Sequence, residues 1–196
     1  MSVWDAVVGQ TVVPALERAV ADADAIRAGT PGAGEAMTHA WLFTGPPGSG
    51  RSVVATAFAA ALQCPRGGCG DCNDCHTALS GAHPDVTLVV TEQLSLKVDD
   101  VRALVPRASL RPAKGRWQVI VIEDADRLTE DAADALLLSV EEPPSRTVWM
   151  LCAPTAEDIV ATIRSRCRVV PLRTPPSGDV ARHLSARHGI DSAMAA

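Results

Sequence analysis

Residues 42–52 read LFTGPPGSGRS. This stretch is one residue short of a phosphate-binding loop, whose pattern is G-x-x-x-x-G-K-[ST]. Gly45, Pro46, Pro47, Gly48, Ser49 and Gly50 supply the loop, and Ser52 supplies the terminal hydroxyl. Arg51 stands where the pattern asks for Lys. The context on either side fits. The apolar run AWLFTG predicts a short buried strand, and the Ala-rich segment from Ser52 to Leu62 predicts an apolar helix. Backbone N–H groups of 45–50 and the positive helix end form an anion cradle whatever residue 51 is. Lys would add a compact charge that reaches the β- and γ-phosphates. Arg keeps the charge but is longer, planar and differently directed.

Outward from the loop, strands and helices alternate. Helices are predicted over 10–27, 97–110 and 129–142, a helix and turn over 156–167, and a short helix ending near Ser80. Strands are predicted over 85–90, 117–126, 146–153 and 168–172, each apolar on both faces. With the strand before the loop this is an α/β fold, a parallel five-stranded sheet flanked by helices. Pro106 is expected to kink its helix or mark its end, and Thr129 to cap the one that follows it. TPPSG (174–178) reads as a linker, and DVARHLSARHGI (179–190) starts a helix of a second domain.

Composition narrows the class. The chain has 196 residues, 47% hydrophobic and 21% charged, an ordinary globular balance. Tyr is absent and Phe and Trp are few, so Ala, Val, Leu and Ile must build most of the core. A net charge of -5 argues against coating nucleic acid by charge alone. No apolar run approaches transmembrane length and no signal-peptide pattern opens the chain, so the expected compartment is the cytoplasm, with no membrane partner. Thiols there stay reduced, so the six Cys are not read as a disulfide framework.

Two further constellations carry chemistry. The strand WQVIVIEDAD ends in acids, where folds of this class hold Mg²⁺ and activate water. The usual order is Asp for the metal, then Glu for the water; here it is Glu123-Asp124. Each carboxylate is then a methylene wrong for its task, a serious error in a site that works by positioning. Helix capping near Thr129 is the plainer use of these acids. CPRGGCGDCNDC spaces Cys64, Cys69, Cys72 and Cys75 as C-x4-C-x2-C-x2-C. Four thiolates on a Gly-rich loop suit a closed structural Zn²⁺ site. The same set also fits iron–sulfur, and zinc is the expected metal. His76 reads as a neighbour, and Cys152 and Cys167 as packed hydrophobes.

The Cys module within a phosphate-loop fold, EDADRLTEDAADALLLSVEEPP and TIRSRC together resemble the bacterial clamp loader of DNA polymerase III, an AAA+ family, over essentially the whole chain. The resemblance implies an AAA+ domain over 1–173 with the zinc module at 64–75 inserted. It implies the start of a helical lid over 174–196, with the C-terminal collar absent. VVGQ (7–10) matches the segment that packs near the adenine, which places Val8 at the base. SRC (165–167) matches the motif whose Arg, here Arg166, acts as a trans arginine finger on a neighbouring subunit's ATP.

Two kinds of subunit in that family carry the zinc module. The gamma/tau motor keeps the Lys and the Asp-Glu pair. The delta-prime stator has degenerate nucleotide motifs but keeps the SRC Arg. Arg51, the Glu123-Asp124 order and Ala153, where the motor has a sensor Thr, fall on the stator side. ATP/Mg²⁺ binding is then expected to be weak or absent. The implied partners are gamma/tau and delta subunits and, through the assembly, the beta sliding clamp and primer–template DNA. Two rival readings stand beside this one. One is an active gamma/tau-like ATPase. The other is a zinc-dependent nucleic-acid module using Arg102, Arg107, Arg111, Lys114 and Arg116, residues that otherwise form a solvated face. Arg166, for its part, can also pair with an acid of its own chain.

Overall fold

The structure, a computed structural model, describes residues 2–91, 93–114 and 116–188. Five strands, β1 (Ala40–Thr44), β2 (Val86–Val89), β3 (Gln118–Ile122), β4 (Thr147–Ala153) and β5 (Arg168–Pro171), form one sheet in the order β2-β3-β4-β1-β5. Every pairing is parallel. The helices are α1 (Val13–Arg27), α2 (Arg51–Gln63), α3 (Asn73–Leu79), α4 (Val98–Ala108), α5 (Glu130–Glu141), α6 (Ala161–Arg164) and α7 (Ser177–His188). Two 3₁₀ turns, Val3–Ala6 and Ala125–Arg127, complete the described elements.

Side chains alternate across each strand, so the central strands feed two cores. Trp41, Phe43, Val119, Val121, Val148 and Met150 pack under α1 and α2. Ala40, Leu42, Ile120, Ile122, Trp149 and Leu151 pack under α4, α5 and α6. Aliphatic residues build most of both layers, as composition requires, and all the tryptophans and phenylalanines are buried with them. Phe58 of α2 meets Trp41 edge-on at 5.0 Å between centroids, an arrangement the ring quadrupoles favour. Ala55, Ala57, Ala59, Ala60 and Ala61 are fully buried along the same helix.

Burial on both faces holds for β1, β3 and β4. The two outer strands depart from the expectation. Val86 is the buried residue of β2, and Val170 the buried one of β5. An edge strand has a neighbour on one side only and less helix above it.

Two predicted boundaries also move. The strand expected over 117–126 ends at Ile122, because Asp124 turns the chain (φ -123°, ψ 62°) into the 3₁₀ turn. Of the helix and turn expected over 156–167, the helix is confined to Ala161–Arg164. Asp158 Oδ2 accepts from Thr155 N at 2.8 Å and Thr155 Oγ1 at 2.9 Å. That local turn competes with helix, and Val160 (φ -52°, ψ 137°) is not helical just before α6. Pro106 lies in the last turn of α4, and Thr129 Oγ1 accepts from Ala132 N at 3.3 Å as the cap of α5. The helix expected from 179 begins at Ser177; its predicted end, with the rest of 189–196, lies outside the described residues.

The Gly/Pro loop between α1 and β1 is tied by one carboxylate. Asp22 accepts backbone N–H groups of Gly34 (3.0 Å), Ala36 (2.8 Å) and Met37 (3.1 Å). These bonds, Gly34 first, hold its pKa below the usual carboxylate value. A depressed folded pKa contributes stability above the unfolded value, and that contribution is lost as pH falls through the folded value. Asp22→Asn should therefore lower the melting temperature at pH 7. The gap to the parent chain should close as pH drops below the ordinary Asp range. Melting curves across pH check this; a gap independent of pH would contradict it.

Candidate functional site

The phosphate loop forms as a tight strand-to-helix turn. Gly48 (φ 81°) and Gly50 (φ 80°) take the left-handed conformation, Gly50 as the N-cap of α2. Gly45 is required for space, since a Cβ there would lie 2.6 Å from Ser49 Oγ and 2.7 Å from Leu172 O. The Ser49 hydroxyl is buried without a hydrogen-bond partner among the described residues.

Arg51 does not project from this loop. Its Nη1 donates to the carbonyl of Gly45, so the guanidinium folds back across the loop's own beginning. Where a phosphate-loop lysine would reach phosphate, this chain places a cation already engaged with the backbone. Glu123 and Asp124 follow β3 on the same edge. Asp124 Oδ2 lies 4.0 Å from Arg127 Nη1, and Glu123 lines a cavity of about 590 Å³ with Ser52, Val53 and Thr56. Burial pushes the Cys152 thiol beneath them up to about 12, with Glu123 adding to the rise. Ala153 pairs in register with Thr44 at the loop's base, and its methyl offers no hydrogen bond.

Val8 lies at a separate cavity of about 160 Å³, beside Ser49, Gly50, Val53, Pro175 and Val180. Gln10 closes one side. Its Nε2 donates to Ser49 O at 3.0 Å and Arg173 O at 2.6 Å, and Arg173 N donates to Gln10 Oε1 at 3.3 Å. Sequence reasoning took Gln10 as the end of VVGQ and the first residue of a helix. Its tie joins segments 163 positions apart, which no local pattern shows.

The four cysteines converge. The Sγ atoms of Cys64, Cys69, Cys72 and Cys75 lie within 4.8 Å of one another, and two of the separations are 3.5 Å and 3.7 Å. Four 2.3 Å zinc–sulfur bonds in a tetrahedron put the sulfurs about 3.8 Å apart, so the set fits one ion. Cys64 Sγ accepts from Arg66 N (3.3 Å) and Cys69 N (3.4 Å); Cys75 Sγ accepts from Gly70 N (3.4 Å). Backbone N–H groups of Asp71 and Cys72 bring Cys69 down to about 6, against burial. Desolvation pushes Cys75 well up. Bound cations favour the thiolate form at every ligand.

The cysteine loop is fastened to the chain's start. Val3 N and Ser2 Oγ both donate to Gly68 O at 3.0 Å. A Cβ at Gly68 would lie 2.7 Å from Val3 Cγ2.

Arg166 sits on the other side of the sheet, in the turn after α6. Its Nη2 is ion-paired with Glu141 Oε1 at the end of α5, so the own-chain partner is present. Three of the basic set meet acids of their own chain. Arg116 is mostly buried, donating to Leu62 O at 3.0 Å and pairing with Asp24 at 2.5 Å. Lys114 lies 4.0 Å from Asp74, and Arg102 lies 3.5 Å from Asp99.

Comparison with known proteins gives the family. Residues 32–176 match the family described as DNA polymerase III, delta subunit. The subunit delta' of Pseudomonas aeruginosa is 37% identical over 135 residues, 66% of this chain and 41% of that one. Its Escherichia coli counterpart is 37% identical over 144 residues, 70% of this chain and 43% of that one. Subunit gamma/tau of Mycobacterium tuberculosis is 34% identical over 145 residues, 71% of this chain and 25% of that one. The chain thus spans about two fifths of the delta' relatives' length. Among solved structures, a DNA polymerase III gamma subunit-related protein of Thermotoga maritima aligns at TM-score 0.57 and 18% identity, over 89% of this chain and 57% of that one. The Thermotoga maritima RuvB Holliday junction branch migration motor aligns at 0.56 and 18%, over 91% and 50%. These two support the AAA+ fold alone. With most of its length inside the family match and delta' relatives above one-third identity, the chain belongs to the delta-prime clamp-loader family of DNA polymerase III.

Proposed function

We propose that this chain acts as a non-motor stator of a DNA polymerase III clamp loader, supporting ATP-dependent loading of the beta clamp onto primed DNA. Its partners are gamma/tau and delta subunits. The observation that carries this reading is Arg51 bound to Gly45 across an otherwise well-formed cradle. The reversed acids and Ala153 weaken the same site in two other ways. The SRC motif remains complete, and Arg166 serves as a finger for the neighbouring subunit's ATP. A guanidinium keeps its charge and bridges phosphate oxygens as charge develops during transfer. Residues 1–173 form the nucleotide-binding-like domain, and 174 onward begins the lid. The intact cradle and the gamma/tau relatives favour a second reading, an active ATPase.

We assign Zn²⁺ to Cys64, Cys69, Cys72 and Cys75, where it would hold the loop closed without chemistry of its own. Metal-replete expression should yield one zinc per chain by elemental analysis. Cys75→Ser should lose the metal and loosen 64–75 while the far-ultraviolet circular dichroism of the sheet persists. Iron, or no metal at all, would contradict the assignment.

ATP turnover by the isolated chain should stay far below about 1 s⁻¹, the slow end for competent enzymes. Clean protein turning over at that rate, and losing the activity when Arg51 is replaced, would establish the ATPase reading instead.

Arg166→Ala in the full-length chain should leave assembly intact and cut the adjacent subunit's DNA- and clamp-stimulated ATPase. Fingers of this kind contribute on the order of 10³-fold or more. Unchanged ATPase in the reconstituted loader would remove the trans role, and a large fall in melting temperature would assign Arg166 to its own chain's stability.

A further inference from the structure

Arg166 is held, not free. Besides the Glu141 pair, its Nη1 donates to Thr162 O at 2.7 Å and Ser165 Oγ at 3.2 Å. A guanidinium carries five N–H donors, so the described contacts leave some unspent. The attraction of Glu141 has a local cause. It is the last residue of α5, whose final turn contains no basic side chain. The aligned peptide dipoles make that helix end negative, and a carboxylate there adds to an unfavourable potential. Arg166 supplies the missing cation from the next element. The Val140 carbonyl is separately met by His39 Nε2 at 2.7 Å, which fixes the helix end where Arg166 finds it.

This arrangement sets two anions in competition for one cation. While Glu141 holds Arg166, its charge offsets the guanidinium's, and an approaching phosphate meets a nearly neutral pair. The pair is open to exchange, because the two side chains are 39% and 34% exposed and ion pairs this exposed are weak. A nucleotide's phosphates carry more charge than one carboxylate and accept bidentate bonds from Arg, so they win once close enough. We propose that Glu141 is a positioning residue that keeps Arg166 on its own chain until a neighbouring subunit's ATP displaces its carboxylate. The inference rests on the trans role of Arg166 given above. It makes the closing of the interface, rather than the mere presence of ATP, the event that releases the finger.

The test uses the full-length chain in a reconstituted loader, with ATPase measured with and without primed DNA and clamp. Glu141→Gln keeps the side chain's size and its carbonyl acceptor but removes the charge. It should raise the unstimulated ATPase about two- to fivefold, the range an exposed ion pair's strength allows. The apparent KM for ATP should fall with it, and the ratio of stimulated to unstimulated rate should shrink. Glu141→Asp, which keeps the charge, should remain near the parent rate. Adding Arg166→Ala to Glu141→Gln should abolish the gain. Glu141→Gln leaving the unstimulated rate unchanged, or lowering both rates in step with melting temperature, would overturn the proposal and leave Glu141 a helix-end partner. If Arg166→Ala alone has no effect on ATPase, the trans reading fails and takes this inference with it. A loss in Arg166→Ala beside a flat Glu141→Gln overturns this inference alone.

Discussion

Parallel pairing is the constraint on which the rest depends. Thr44 lies opposite Ala153, and Ile122 opposite Leu151. Because the strands run one way, their carboxyl ends emerge on a single edge, and the segments that follow them must share it. The glycine loop after β1, the acids after β3 and Ala153 at the end of β4 are therefore neighbours by topology before any side chain is chosen. The right-handed crossovers that parallel strands demand cover both faces with helices. The strands of the middle of the sheet are accordingly buried on both sides.

The parts of this molecule legible in its sequence are those whose cause is local. Gly45 to Ser52 announces a loop because glycine at Gly48 and Gly50 permits left-handed backbone. Thr129 announces a helix start because its hydroxyl reaches a backbone N–H three residues on. The four cysteines announce a cluster able to hold a metal ion because their spacing already limits how far apart the sulfurs can be. Failures of the reading have the opposite character. The segment 156–160 has helical composition, yet Asp158 turns back to Thr155 and the helix waits until Ala161. The basic residues from Arg102 to Arg116 read as a solvated face or a rival binding set. Arg116, however, is drawn inward by Asp24, a partner 92 positions away. Arg51 is the subtlest case: its charge is visible in the sequence, but its direction is decided by the Gly45 carbonyl.

The same contrast separates the two faces of the sheet. On the α2 face the chain has a cradle, a cation bent over it and the acids Glu123 and Asp124 close by. On the α5 face, Arg166 and Glu141 form a small charge system that has nothing to do with that cradle. The two systems lie on opposite faces, and no described contact links them.

The docking of the cysteine loop has one more consequence. Gly68 carries Val3 and Ser2 on its carbonyl, and the 3₁₀ turn from Val3 to Ala6 leads directly into Val7 and Val8 at the smaller cavity. The loop that gathers four sulfurs is thus the footing of the chain's entry into the domain. Opening that loop would break the bonds that hold the turn, a coupling of the kind local unfolding exposes. Amide protons of Val3 and Val7 should exchange at rates set by the integrity of a loop some sixty positions downstream.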